Sequence, residues 1–225
     1  MTNIRRALEA AAATGGDATY VEDVFSTYVY EGNGSTGQTI TNGIDLDGEG
    51  GMVWFKCRSI GFGSLLFDTV RGTEVGLASD ATDAEASYSS ALSSFNSDGF
   101  TLQGNVAQTN ESGADMVGWT FRKAPGFFDI QTYTGNGVAG RTVAHNLESV
   151  PGCIIIKKTS DADGWQVYHR SLGNTKALRL DTTAAEATDT NYWNDTSPTS
   201  TEFTLGIQGS GNENTAEYVA YIFAH

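Results

Sequence analysis

Two short stretches of this chain are near copies: YVYEGNG at residues 28–34 and TYTGNG at residues 132–137. One such Gly-Asn-Gly turn means only that a strand has reached a tight bend, because Gly and Asn tolerate positive φ. The surroundings repeat as well. VFSTYVYEGNG (24–34) matches FFDIQTYTGNG (127–137), and MVWFKCRS (52–59) matches CIIIKKTS (153–160). LLFDTVRG (65–72) meets QVYHRSLG (166–173), and LASDATDAEA (77–86) meets LRLDTTAAEA (178–187). DGFTLQG (98–104) and ADMVGWTF (114–121) meet TEFTLGI (201–207) and AEYVAYIF (216–223). The offset stays at 101 to 103 residues from block to block, which marks a tandem duplication rather than chance similarity of turns.

A unit of this length exceeds the 20–50 residues of a solenoid repeat and can bury a core of its own. The sequence therefore divides into an N-terminal helical arm and linker (1–23), a first β-sandwich module (24–125) and a second (126–225). The modules meet at RKAPGFF (122–128), where Pro125-Gly126 breaks any strand and leaves almost no slack. So short a connection predicts a fixed relative orientation.

The fold class follows from the residues inside each copy. With 27 Gly, 3 Pro and abundant Thr, Ser, Asn and Asp, the chain favours short strands joined by turns over helices. MVWFK and CIIIK are nearly continuous apolar runs, as in central strands covered on both faces. GFTLQG and EFTLGI alternate Phe and Leu with Thr. In the last strand of each copy, Val117, Trp119 and Phe121, and likewise Val219, Tyr221 and Phe223, form the set expected to face inward. The expectation is a mainly β protein: two tandem antiparallel β-sandwich domains, jelly-roll-like, preceded by a short N-terminal helix.

That helix is read at NIRRALEAAAA (3–13), with Asn3 as N-cap and Ile4, Leu8, Ala11 and Ala12 along one face. A helix of about ten residues is marginal alone in water. It is expected either to dock, anchoring the protein to a larger assembly or joining copies of it, with a homotrimer favoured, or to remain a mobile, frayed terminus.

Charge narrows the partners. Against 13 basic residues stand 27 acidic ones, a net charge of -14, which opposes binding to nucleic acid or anionic membrane. Arg5-Arg6, Arg122-Lys123 and Lys157-Lys158 are isolated pairs rather than a basic patch. Cys57 and Cys153 sit in apolar runs without CxxC spacing, so each is expected to pack as a small hydrophobe. The chain has no run of 18 apolar residues, and its N-terminus is too short and weakly apolar for a secretory signal. Assembly in a cytosol is the expectation.

Candidates for chemistry are few. Asp45, Asp47 and Glu49 in DLDGEGG alternate with glycine as calcium ligands do, yet the remaining EF-hand ligands are missing. DADG (161–164) has the same look, and solvated turns without a cofactor are the expected state of both. The histidines, His145, His169 and His225, lack a nucleophile motif around them, so a non-enzyme is expected. A polysaccharide-degrading enzyme is the weakest alternative. Trp165, which follows DADG, and Tyr192 and Trp193 in TNYWNDTSPTS are the candidate glycan-binding residues: ring faces cover sugar C–H groups while amides and carboxylates take hydroxyls. Plugging the open ends of a sandwich is the commoner use of such aromatics.

Four stretches carry a family resemblance: VEDVFSTYVYEGNGSTGQTITNGIDLDGEGGMVWFKCRS, FNSDGFTL, GWTFRKAPGFFDIQTYTGNG and RTVAHNLESVPGCIIIKKTS. Together they resemble a module of tailed-bacteriophage virion proteins, particularly those of marine phages infecting cyanobacteria and related hosts, which occurs in tail fibres and structural proteins. The resemblance covers the chain after about residue 20, with FRKAPGFFDI its most distinctive phrase. SDGFTL and VGWTF are also similar, more weakly, to later strands of concanavalin-like and SPRY-like sandwiches. What the phage resemblance implies is a non-enzymatic, oligomeric part of a virion, in contact with other virion proteins, with host surface glycan as an alternative partner. It carries no catalytic or binding residues to transfer. Because the chain stops at YIFAH, a short fibre or appendage, or a head or tail decoration, is expected rather than a long fibre with a separate tip.

Overall fold

The computed structural model describes residues 19–225. The arm, with Ile4, Leu8, Ala11 and Ala12, lies outside the described residues. A one-turn helix, Val21–Val24, leads into the first strand.

The duplicated turn is explained by a duplicated clamp. Strand β1 (Phe25–Glu31) and strand β10 (Phe128–Thr134) each run into their Gly-Asn-Gly. After β1, the Asn33 N–H donates to Asn110 Oδ1 at 2.9 Å and the Gly34 N–H to the Asn110 carbonyl at 3.1 Å. After β10, Asn136 and Gly137 make the same two bonds to Asn212, at 3.0 and 2.9 Å. Each buried Asn amide then donates onward, Asn110 to Ser35 O and Asn212 to Val138 O. A Cβ on Gly32 would stand 2.2 Å from Glu111 O, and one on Gly135 2.1 Å from Glu213 O, so neither position admits a side chain. Buried amides with every group bonded fix a turn far more firmly than φ preference alone.

The strands repeat in the same order. In the first half β3 (Gly51–Cys57), β4 (Ser64–Asp68), β5 (Gly72–Ala78), β6 (Ala86–Ser87) and β9 (Asp115–Arg122) join β1. They form a six-stranded antiparallel sheet, β1-β9-β3-β4-β5-β6. In the second, β12 (Pro151–Lys158), β13 (Gln166–His169), β14 (Lys176–Arg179), β15 (Ala187–Thr188) and β17 (Glu217–Ala224) join β10. The order is β10-β17-β12-β13-β14-β15, strand for strand the same. A smaller sheet covers each: β2 (Gln38–Thr41), β8 (Gly99–Leu102) and β7 (Leu92–Asn96) over the first, and β11 (Arg141–Ala144) with β16 (Glu202–Leu205) over the second. Where β7 stands in the first half, the second has turns, and Trp193 fills its core at the position equivalent to Leu92.

The protein is thus mainly β, built as two antiparallel sandwiches. Each has its own core, around Val53, Phe55, Phe67 and Phe100 in the first and Ile154, Ile156, Phe203 and Tyr218 in the second. A third core lies between the two large sheets, where Met52, Leu66 and Leu77 meet Phe128, Ile130, Trp165, Val219 and Tyr221. Small sheet, large sheet, large sheet, small sheet make four layers.

The third core corrects one expectation. Val219, Tyr221 and Phe223, with Phe121, face the opposite half rather than their own sandwich, and Trp119 shares that outward side of β9. Tyr218, Ala220 and Ile222 line the second sandwich instead. In β9 the inward set is Met116, Gly118 and Thr120. Met116 packs on Cys57, Phe100 stands 3.3 Å from where a Gly118 Cβ would be, and Thr120 accepts a bond from Asn42 Nδ2 at 2.8 Å. A strand covered on both faces has no polar side to reveal which face belongs to its own domain.

The connection between halves is tight. Gly126, at φ 70, donates to Leu147 O at 2.7 Å, and Ala124 bridges Phe128. Phe121 touches Phe127, Phe128 and Phe223 with ring centroids 6.4, 5.7 and 5.5 Å away. Since Phe121 and Phe223 are equivalent positions of the repeat, the halves face each other around a local pseudo-two-fold.

Candidate functional site

Such an arrangement should generate two equivalent seams, and one of them is closed. At it, Trp165 is fully buried, stacked on Tyr221 with centroids 6.5 Å apart. Its Nε1 donates to the carbonyls of Ala78 and Ala81, each at 3.1 Å. Beside it the buried Lys157 ammonium donates to Thr82 O at 3.3 Å and Lys158 O at 2.7 Å, and burial lowers its pKa to about 8. The Tyr221 hydroxyl donates to Asp68 Oδ2 at 2.8 Å while Arg71 donates to Tyr221 and to Asp68. Burial holds the Tyr221 hydroxyl well above its ordinary pKa, so it stays a donor. Backbone bonds from Asp163 to Thr82 and from Glu85 to Thr159 complete the seam.

At the other seam the equivalent residues leave a groove. Ser64 stands where the second half has Trp165, Trp119 where it has Tyr221, Lys56 for Lys157 and Trp54 for Ile155. The equivalence reaches individual atoms: Ser64 N–H donates to Asp80 Oδ1 at 3.1 Å, as Trp165 N–H does to Asp181 Oδ1 at 2.9 Å. Two adjoining hollows share Trp54. One, of about 670 Å³, lies among Trp54, Ser79, Asp80, Leu180, Asp181, Thr182 and Thr183. The other, of about 440 Å³, lies among Trp54, Lys56, Ser64, Trp119 and Phe121. Segment 180–183, which borders the larger hollow, corresponds to segment 79–82, part of the stretch that receives Trp165 at the closed seam. The groove is the reciprocal seam with its indole replaced by a serine.

Its rings are held in place from behind. Trp54 and Trp119, both half-buried, meet edge to face at 6.3 Å and 74°. Trp54 Nε1 donates to the buried Ser79 Oγ at 2.9 Å, and Lys56 Nζ to Phe62 O at 2.5 Å. Aromatic faces, two carboxylates and the Thr182 and Thr183 hydroxyls therefore share one cleft. Such a surface grips flat, hydroxyl-bearing rings.

The expected glycan residues lie elsewhere. Trp165 is 0% exposed in the third core and Trp193 1% in the second sandwich, where its Nε1 donates to Lys176 O at 3.1 Å. Tyr192 packs half-buried against that core with the Arg179 guanidinium 5.6 Å over its ring. These three do not converge, because turns that wrap over a sandwich end or seam turn their aromatics inward. Asp45, Asp47 and Glu49 form a plain turn: Asp45 Oδ1 accepts the Gly48 N–H at 2.8 Å, and Glu49 pairs with Arg122 at 3.7 Å. Among the described residues no three His, Cys, Asp or Glu side chains converge to hold a metal. Cys57 and Cys153 are free, and burial raises the Cys153 thiol to about 11. Sequence reasoning placed Trp54 and Trp119 in apolar strands and missed the groove. The signal that could have exposed it is a mismatch between the copies, Ser64 against Trp165 and Trp54 against Ile155, at positions where the neighbours match.

No helix among the described residues is long and apolar enough to cross a membrane. No curated protein and no solved structure matches the chain. The sequence pattern of one family, described as "Domain of unknown function (DUF7483)", matches residues 21–225, and the chain belongs to that family.

Proposed function

We propose that the chain is a non-enzymatic structural protein on the exterior of a tailed-bacteriophage particle, as a short fibre, an appendage or a head or tail decoration. The observation that supports this reading most is the third core, which joins two complete sandwiches through buried aromatics and the Asp68–Arg71–Tyr221 cluster. A body locked in this way suits a part that holds geometry better than one that must open and close around a reacting substrate. The histidines fit it too: His145 and His169 each accept, at Nδ1, a backbone N–H two residues further on, which is a turn-stabilising use of imidazole. A net charge of -14 favours contacts with other virion proteins over nucleic acid or membrane.

In this reading the arm, chiefly Ile4, Leu8, Ala11 and Ala12, attaches the protein or trimerises it. Protein mass spectrometry of density-purified particles, with antibody labelling in electron micrographs, tests the proposal. The protein should be present with label on the outer surface, and its absence from clean particles would overturn the reading. Light scattering of chains with and without residues 1–16 tests the arm; unchanged mass and unchanged particle attachment would remove its role. A glycan-binding role is the second reading, and the groove at Trp54 and Trp119 favours it in place of Trp165, Tyr192 and Trp193.

A further inference from the structure

We infer that the open seam is a binding site for a neutral hexose ring of a glycan, stacked on Trp119 beside Trp54 and hydrogen-bonded to Asp80 and Asp181.

The closed seam shows what this geometry accepts. There the pocket between the large sheets takes a flat ring, Trp165, stacked on the residue equivalent to Trp119, with an N–H aimed at two carbonyls. At the open seam the ring is missing because Ser64 occupies its position, and the hollow beside Ser64 retains about 440 Å³ floored by Trp119, Trp54 and Phe121. The adjoining hollow of about 670 Å³ brings up Asp80 and Asp181, each with Oδ1 already holding a backbone N–H. That bond orients the carboxylate and leaves its second oxygen to accept from a ligand.

A hexose answers both halves of this description. Its C–H face stacks on indole, and its ring of hydroxyls donates to carboxylates. An aromatic side chain from a protein partner would satisfy the floor but offers at most one donor for two carboxylates and two threonine hydroxyls. Sialylated or uronic-acid sugars meet those carboxylates as like charges. The groove chemistry stands by itself, whereas taking the glycan from a host surface rests on the virion reading.

The test is a printed array of neutral, sialylated and uronic-acid-containing oligosaccharides, probed with the whole chain and followed by calorimetric titration of the best neutral hit. Three variants accompany it: Trp119→Ala removes the floor, Asp80→Asn removes one acceptor charge, and Ser64→Trp installs at the open seam the plug that closes the other. Neutral glycans should bind, with affinity falling about tenfold or more in Trp119→Ala and lost in Ser64→Trp, whose melting temperature should not drop. An array without neutral hits, or binding that survives Ser64→Trp in a folded variant, overturns the assignment. Capture of tryptophan-bearing peptides in place of sugars overturns it in favour of a protein partner. A glycan-binding chain that is absent from purified particles overturns only the virion reading.

Discussion

Replacing Trp165 by Ser would make the closed seam carry the residue of the open one, and the cost can be worked from the contacts. The indole is 0% exposed, stacks on Tyr221 and satisfies the carbonyls of Ala78 and Ala81. Truncating a fully buried Trp costs about 3–5 kcal/mol, part of it from the cavity left behind. The carbonyl bonds add little beyond this, since water can enter the opened seam to replace the donor. The expected loss of about 3–5 kcal/mol corresponds to a melting temperature about 6–20 °C lower for a chain of this size. Urea unfolding followed by far-ultraviolet circular dichroism measures it, read as a shift in midpoint at constant slope. Trp119→Ala is the matched control: it removes an aromatic from the equivalent seam, where it is half-buried, and should cost under about 1.5 kcal/mol. If Trp165→Ser costs less than about 1 kcal/mol, or no more than Trp119→Ala, the two seams do not differ as described.

Gly32→Ala and Gly135→Ala should each destabilise by more than about 2 kcal/mol, because the new Cβ falls within 2.2 and 2.1 Å of a carbonyl oxygen, whereas Gly37→Ala, in open space at φ 85, should cost only about 1 kcal/mol. Equal losses at all three in chemical denaturation would refute the clamp. Lys157 gives a pH signature: burial lowers it from 10.5 to about 8, so below about 8 it is charged in folded and unfolded chains alike and the desolvation penalty is in force. Above about 8 the folded protein releases a proton that the unfolded chain keeps, so stability relative to Lys157→Met should rise from about pH 7 to about pH 9.5, before tyrosine ionisation intervenes. A difference that is flat or falls across that window, measured by unfolding in matched buffers, would contradict the buried ammonium.

Part of this architecture was readable from the residues. Mainly β class follows from glycine-rich turns and alternating strands, and the continuous apolar runs of β3 and β12 do mark strands buried on both sides. The 101–103 offset anticipated the identical strand orders of the two large sheets. What the residues did not disclose is which apolar face of β9 and β17 belonged to which core, since both faces are covered. Nor did they place Trp165, which sits in a polar, turn-rich stretch yet points between the sheets. Local composition reports the backbone's exposure there, not the side chain's direction. The groove was hidden for a related reason: its larger hollow exists only once Trp54, Ser79 and Asp80 are brought up to segment 180–183 by the pairing of halves, and no local window contains both.

The third core and the closed seam join the two repeats into one body, with the other seam open. Amide nitrogen relaxation, measured across residues 25–122 and 128–224, tests this most directly. A single overall tumbling tensor should fit the strands of both halves, with Tyr221 and Trp165 rigid and the amides around Ser64 and Thr182 no less so. Two separate, shorter tumbling times, one for each half, would contradict it.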